Sequence, residues 1–340
     1  MNRIKTLSLA MVASAMLSTS ALSADVKSIA ILTPEQGTDF GWNQQGVEGA
    51  RAAGEAAGVE VVVAENLGYG DIRPTLRELA EEGHDLLIAH ASGYNTAAPE
   101  IGTEIGVKVA IVDSPTSLTE GVVADYTASG HDGAYLAGRL AAKMSRTGTV
   151  GIVVSGEPPS WNSQSAAFAE GVKAEKPDVV VRYAVIGPAA YSDAAGGKRV
   201  TESLIAAGAD IIFGQGNGSS FGMLQAVETT TATDGGKVFF IDVIGDKSSI
   251  DKGFLLSSVQ WNLTPLYAAM IEDVKADKYG TRNYNISLAD DSVSLLRTPQ
   301  IPEDVWASVM EIRQQIIDGT ITVEPKFDPE SVHTLVTQLN

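Results

Sequence analysis

The sequence predicts an α/β fold in which two doubly wound parallel-sheet lobes flank a cleft, and three observations carry that expectation. Short apolar or β-branched runs alternate with helix-like stretches through most of the chain. The alternation runs through twice, with matching residues in matching order. The length, 340 residues, exceeds what one hydrophobic core usually serves.

The first pass begins with "SIAILT" (28–33), a helix near 43–57 and "VEVVVAE" (59–65). A helix near 72–82, "DLLIAHA" (85–91), a helix near 96–105 and "VKVAIVDS" (107–114) follow. The second pass reads "TVGIVVSG" (149–156), helix 163–175, "VVVRYAVIG" (179–187), helix 195–207, "DIIFGQG" (210–216), helix 220–230 and "KVFFIDVIG" (237–245). Continuous apolar strands separated by helices of this length mean βαβ units and a sheet buried on both faces.

The two passes echo each other. Trp42-Asn43-x-Gln45 returns as Trp161-Asn162-x-Gln164, although the chain has only four tryptophans. Gly83-x-Asp85 answers Gly208-x-Asp210, and "KVAIVD" (108–113) answers "KVFFID" (237–242), which matches Asp113 with Asp242. Each match alone is weak, since Gly-x-Asp turns are common in βαβ units. Three in the same order indicate a duplicated domain. Open α/β sheets bind ligands at the carboxyl ends of their strands. The cleft loops are therefore expected at 35–43, 66–71, 91–95 and 113–115 in one lobe, and at 156–163, 187–192, 215–221 and 242–247 in the other.

The N-terminus predicts export. Arg3 and Lys5 precede an Ala/Leu/Met-rich run and then small residues, the order of a cleavable signal peptide over 1–24. Ala21 and Ser23 suit positions −3 and −1, with cleavage after Ala24 as the near alternative. No later stretch is apolar for long enough to span a bilayer. With no cysteine, disulfides and a lipid-modified N-terminal cysteine are excluded, and a freely soluble periplasmic protein is expected. The formal charge of −18 becomes −20 without Arg3 and Lys5, which argues against nucleic acid or anionic lipid as a partner.

Within the cleft loops, Trp42 and Trp161 offer flat indole faces for stacking on a planar ring or on the apolar face of a sugar. Tyr94 and Phe221 are further aromatics there. Asp39, Asn43, Asp113, Asn217, Asp242 and Asp246 supply acceptors and amides suited to a neutral, hydroxylated or nucleobase-like ligand. A Trp at a helix start serves packing as readily, and an Asp at a strand end can instead cap the next helix. Cations are scarce in these loops, Lys247 being the main exception, so an anionic ligand is not expected. Gln260, Trp261 and Asn262 fall at an expected interlobe crossing, where a structural role and a ligand contact are equally open.

The stretches "TDFGWNQQGVEGARAAGEAAGVEV", "GHDLLIAHAS", "GAYLAGRLAAKMSRTGTVGIV" and "IPEDVWASVMEIRQQIIDGTITVEP" resemble the basic membrane protein family of ABC-transporter solute-binding proteins, from about Ser28 to Phe327. The best-described members bind purine nucleosides. Asp39, Trp42 and Asn43 match the family's Asp-x-Ser-Phe-Asn type motif with Trp in place of Phe. The resemblance implies a type I periplasmic-binding-protein fold with crossings near Asp125–Ser129, Ser257–Asn262 and Ser292–Thr298. The lobes would then be 25–128 plus about 258–292 and 129–257 plus about 293–330, with 331–340 a C-terminal tail. It also implies that Trp42 stacks on the ligand base and Asn43 hydrogen-bonds the ligand. Its ribose-binding acidic residue falls to Asp242 or Asp246, because the family's Ile-Gly-Val-Asp reads "FIDVIGDKSS" here.

Nothing in the sequence asks for a cofactor or a metal. His84, His90, His131 and His333 lack zinc-ligand spacing, no Gly-x-Ser-x-Gly elbow occurs, and "GDKSS" (245–249) lacks the upstream glycine of a phosphate loop. The reading is a non-enzymatic, monomeric receptor of an ABC importer that delivers a purine nucleoside or nucleobase to a membrane permease. A sugar or polyol receptor, or a sensor that presents ligand to a chemoreceptor or kinase, is the alternative.

Overall fold

The computed structural model describes residues 25–340; the expected signal peptide lies outside them. In the first lobe the chain runs β1 (Ser28–Leu32), α1 (Trp42–Ala57), β2 (Glu60–Ala64), α2 (Arg73–Glu81), β3 (Leu86–Ala89), α3 (Ala97–Ile105), β4 (Lys108–Val112) and β5 (Val123–Thr127). It then crosses to the second lobe: α4 (His131–Met144), β6 (Thr149–Val154), α5 (Pro159–Glu175), β7 (Val180–Val185), α6 (Ala194–Ala206), β8 (Ile211–Gln215), α7 (Ser220–Thr229), β9 (Phe239–Ile244) and β10 (Leu255–Trp261). Helix α8 (Thr264–Lys275) and β11 (Tyr284–Asn285) return to the first lobe. Strand β12 (Val293–Leu295), α9 (Glu303–Ile317) and α10 (Pro329–Leu339) end in the second.

The two six-stranded sheets have the same order, β11-β5-β4-β3-β1-β2 and β12-β10-β9-β8-β6-β7. All pairings are parallel except β10–β12. One face of each sheet has its own core: β1, β3 and β4 against α2 and α3, and β6, β8 and β9 against α6 and α7. The opposite faces join one core that runs through both lobes, so the lobes share an apolar spine beside the crossings. The Gly-x-Asp echo is structural. Asp85 accepts from the backbone N–H of Lys27 and Ser28, and Asp210 from Arg146 and Thr147, each fixing the approach to the lobe's first strand.

Two boundaries differ from the sequence reading. Strand β10 lies wholly in the second sheet, so residues 258–261 sit there and the chain returns after Trp261. A hydrophobic run cannot reveal which sheet takes it. Residues 331–340 are not a loose tail: Asp328 caps α10 by accepting from Ser331 N, the helix packs on α5 and β7, and Asn340 bonds both backbone groups of Val181. Among the described residues, no helix is long and apolar enough to cross a membrane.

Candidate functional site

Where the carboxyl ends of the two sheets meet, a cavity opens between the lobes. Pro34, Trp42, Tyr69, Ala91, Ser92, Val112 and Asp113 line it from the first lobe, and Pro158, Ser160, Trp161, Tyr191, Asn217, Ile244 and Trp261 from the second. Five aromatic side chains and few polar groups give it the lining character of a small-molecule site. No lining residue is Lys or Arg.

Trp42 is the first residue of α1, and the turn before it is tied down by Asp39. That carboxylate accepts from the backbone N–H of Gly41, Asn43 and Gln44 and from the Asn43 amide. It thereby occupies the orphan donors of the helix N-terminus. One indole face stacks on His90, with centroids 3.8 Å apart and planes 9° from parallel, and Trp42 Nε1 donates to His90 O at 3.0 Å. His90 is buried, its Nε2 lying 2.9 Å from Trp42 O and its Nδ1 within 2.6 and 3.0 Å of the Tyr126 and Tyr267 hydroxyls. A carbonyl can only accept, so Nε2 carries the proton and Nδ1 accepts from tyrosine. Burial holds the ring neutral, its pKa lowered to about 4. Trp42 thus rests on a polar pedestal that fixes the indole in advance. Gly46, one helical turn on, admits this arrangement, since a side chain there would strike the His90 ring.

Trp161, the third residue of α5 and 4% exposed, lines the opposite wall and meets Tyr191 edge-on at 5.4 Å. Trp261, at the end of β10, stands edge-on to Trp42 at 6.1 Å. Tyr69 and Tyr191 meet across the mouth at 5.8 Å, and the Ser192 hydroxyl donates to Glu35 from lobe to lobe. On another side Phe40 packs edge-on against Phe221 at 6.2 Å, and Lys247 Nζ donates to Phe40 O at 3.2 Å. The lobes are therefore closed on each other.

Of the residues singled out in the sequence, the structure brings Trp42, Asp113, Trp161 and Asn217 to the cavity wall, together with Trp261 from the expected interlobe crossing. The others lie behind or beside it. Asp39 and Asn43 form the α1 cap. Tyr94 is buried with its hydroxyl on Gly68 O, and Phe221 seals the lobes against Phe40. Asp242 is buried within β9, paired with Lys247 and accepting from Ser220 Oγ, and Asp246 caps its own turn through Ser248 N. Tyr69, Tyr191, Ser92, Ser160 and Ile244 were not singled out, although every one falls in a predicted cleft loop. What marked those loops was strand order; which side chains turn inward depends on backbone geometry. Three lining residues, Asp113, Asn217 and Ile244, have left-handed φ values of 54°, 46° and 73°.

Two acceptor oxygens on the wall residues are buried without a hydrogen-bond partner, Asp113 Oδ1 and Asn217 Oδ1, one from each lobe. Burial pushes the Asp113 carboxyl up to about 7, against the opposing pull of Ser160. The sign of its linkage follows. A raised acid contributes stability present below its ordinary pKa and lost as pH rises toward 7, whereas His90, depressed, withdraws stability as pH falls from about 6.5 to 4. The two oppose each other in the acid range. Asp113→Asn should therefore gain on the parent by roughly 3 kcal/mol between pH 4 and pH 7 in ligand-free urea melts. A difference that stays constant with pH would mean that Asp113 ionises in its ordinary range. Among the described residues no group of His, Asp and Glu could hold a metal ion.

Two α/β lobes joined by three chain crossings, with a cavity between them, form the architecture of the periplasmic binding proteins of type I. A solved solute-binding protein of an ABC transporter from Aeropyrum pernix shares this fold, with a TM-score of 0.77 at 20% identity, covering 92% of this chain and 97% of that one. Residues 26–326 match the family described as ABC transporter substrate-binding protein PnrA-like, and the chain belongs to it. Relatives include an ABC transporter nucleoside-binding protein of Lactococcus lactis, 22% identical over 90% of this chain and 91% of its own length. Another is a purine-binding protein of Brucella abortus, 24% identical over 83% of this chain and 79% of its own.

Proposed function

We propose that the protein captures a purine base or purine nucleoside between its lobes outside the cytoplasm and delivers it to the permease of an ABC importer. The observation that carries this reading is the pairing of an indole fixed on a histidine pedestal with two unpartnered buried acceptors, one on each lobe. A flat ring satisfies the first by stacking, and the ring or exocyclic N–H groups of a purine satisfy the second. The lack of Lys and Arg on the wall suits a neutral ligand over a phosphate or carboxylate. The relatives named for nucleoside and purine binding support the same class. Closure by hinge motion at the crossings would join the two half-sites. The molecule binds and releases its ligand without turnover.

Titration calorimetry with adenine, hypoxanthine, adenosine and inosine tests this. Saturable binding of at least one purine is expected. Heat from a sugar or polyol, with none from any purine, would replace the proposal with a sugar receptor.

A further inference from the structure

Strand register shows where the two lobes use the same position differently. In the first lobe Leu86 pairs with Ile29 of β1 and Lys108 of β4; in the second Ile211 pairs with Val150 of β6 and Phe239 of β9. Lys108 and Phe239 are therefore equivalent, and following both strands to their ends makes Asp113 the counterpart of Ile244. The sequence alignment of Asp113 with Asp242 was displaced by two residues; Asp242 takes the place of Ile111 inside the strand. Both Asp113 and Ile244 have left-handed backbone and both line the cavity.

For Asp this conformation is tolerable, because its short polar side chain can bond locally. For β-branched Ile it is a true outlier, costing roughly 1–2 kcal/mol. The turn itself is fixed from outside the side chain. Gly245 packs so tightly under Phe40 O that a Cβ there would collide, and its carbonyl accepts from Ser258 Oγ at 2.6 Å. Asp, Asn or Gly would sit in this turn with less strain. The chain carries Ile and so presents an aliphatic wall where the other lobe presents a carboxylate.

That wall bears on the ligand. A ribose brings several hydroxyls, and one buried against Ile244 loses its hydrogen bonds to water without replacement. A free purine base brings no hydroxyls and has one more ring N–H than its nucleoside, a donor that an unpartnered acceptor such as Asp113 Oδ1 or Asn217 Oδ1 can take. We infer that Ile244 is a specificity-determining residue that makes this cavity select free purine bases over their nucleosides. The inference rests on the purine reading above.

Titration calorimetry of the ligand-free protein, with adenine against adenosine and hypoxanthine against inosine, tests it in the parent, Ile244→Asp and Ile244→Asn. The parent should bind a base at least tenfold more tightly than its nucleoside, and the substitutions should cut that ratio about tenfold. The Asn variant guards against misfolding caused by a buried charge, and a cooperative melt verifies each protein. Nucleosides bound as tightly as bases by the parent would overturn the inference and leave the purine reading intact. A base preference unchanged in both variants would remove Ile244 from the role. Binding of neither class would sink the purine reading, and this inference with it.

Discussion

Trp42→Ala is expected to weaken ligand binding about a hundredfold while leaving a cooperative unfolding transition. The indole is fixed before ligand arrives, by parallel stacking at 3.8 Å on His90 and by the bond from Nε1 to His90 O. Its orientation therefore adds little entropic cost on binding, which is how a rigid aromatic becomes an anchor. Truncating such an anchor costs about 2–4 kcal/mol, of which stacking beyond area burial supplies roughly 0.5–1.5. The effect is separable from stability because Trp42 is partly exposed and His90 keeps both tyrosine partners in the variant. Calorimetry alongside thermal melts checks this. Parental affinity with a large fall in Tm would reassign Trp42 to packing.

Lys247→Ala should lower the unfolding free energy by about 3–5 kcal/mol, the largest stability effect foreseen here. Lys247 is 1% exposed and Asp242 fully buried; the ammonium donates to the Asp242 carboxylate and to Phe40 O of the other lobe. Burial raises the Asp242 pKa and the adjacent Lys247 charge lowers it. Without Lys247 the carboxylate keeps only Ser220 Oγ at 3.1 Å and must be protonated or left as an uncompensated charge. Replacing both partners, Lys247→Met with Asp242→Leu, should recover most of the loss, since a buried pair often contributes little over apolar side chains of like volume. Urea denaturation measures both proteins. A Lys247→Ala cost below about 1 kcal/mol would mean that the pair is solvated.

The residues that were legible in the sequence were those whose role follows from pattern. Apolar runs and their helical spacers gave the parallel sheets, because a strand buried on both faces must read as continuously apolar. Strand order then placed the cleft loops, and every loop residue on the wall falls within or beside them. Trp42 and Trp161 stood out by rarity and repetition, and both line the cavity. The acidic residues were harder to read. Asp39 and Asp246 occupy turns as Asp113 does, and Asp242 lies inside β9 close to its end, yet they cap a helix, cap a turn and pair with a lysine. Only the left-handed turn after β4 puts Asp113 on the wall, and no composition rule signals that turn. His90 was invisible for the opposite reason: it is an ordinary strand-end residue until Trp42, Tyr126 and Tyr267, distant in sequence, converge on it. The equivalence of Ile244 with Asp113 needed strand register, which two runs of similar apolar residues leave free to slip by two.

The central claim is that a purine occupies the interlobe cavity with Trp42 as its platform. Native mass spectrometry of protein incubated with a mixture of purine bases, purine nucleosides and neutral sugars tests it most directly. The account predicts one bound species with the mass of a purine base or nucleoside, and its loss in Trp42→Ala. A sugar retained in place of a purine, or a purine held equally by Trp42→Ala, would contradict it.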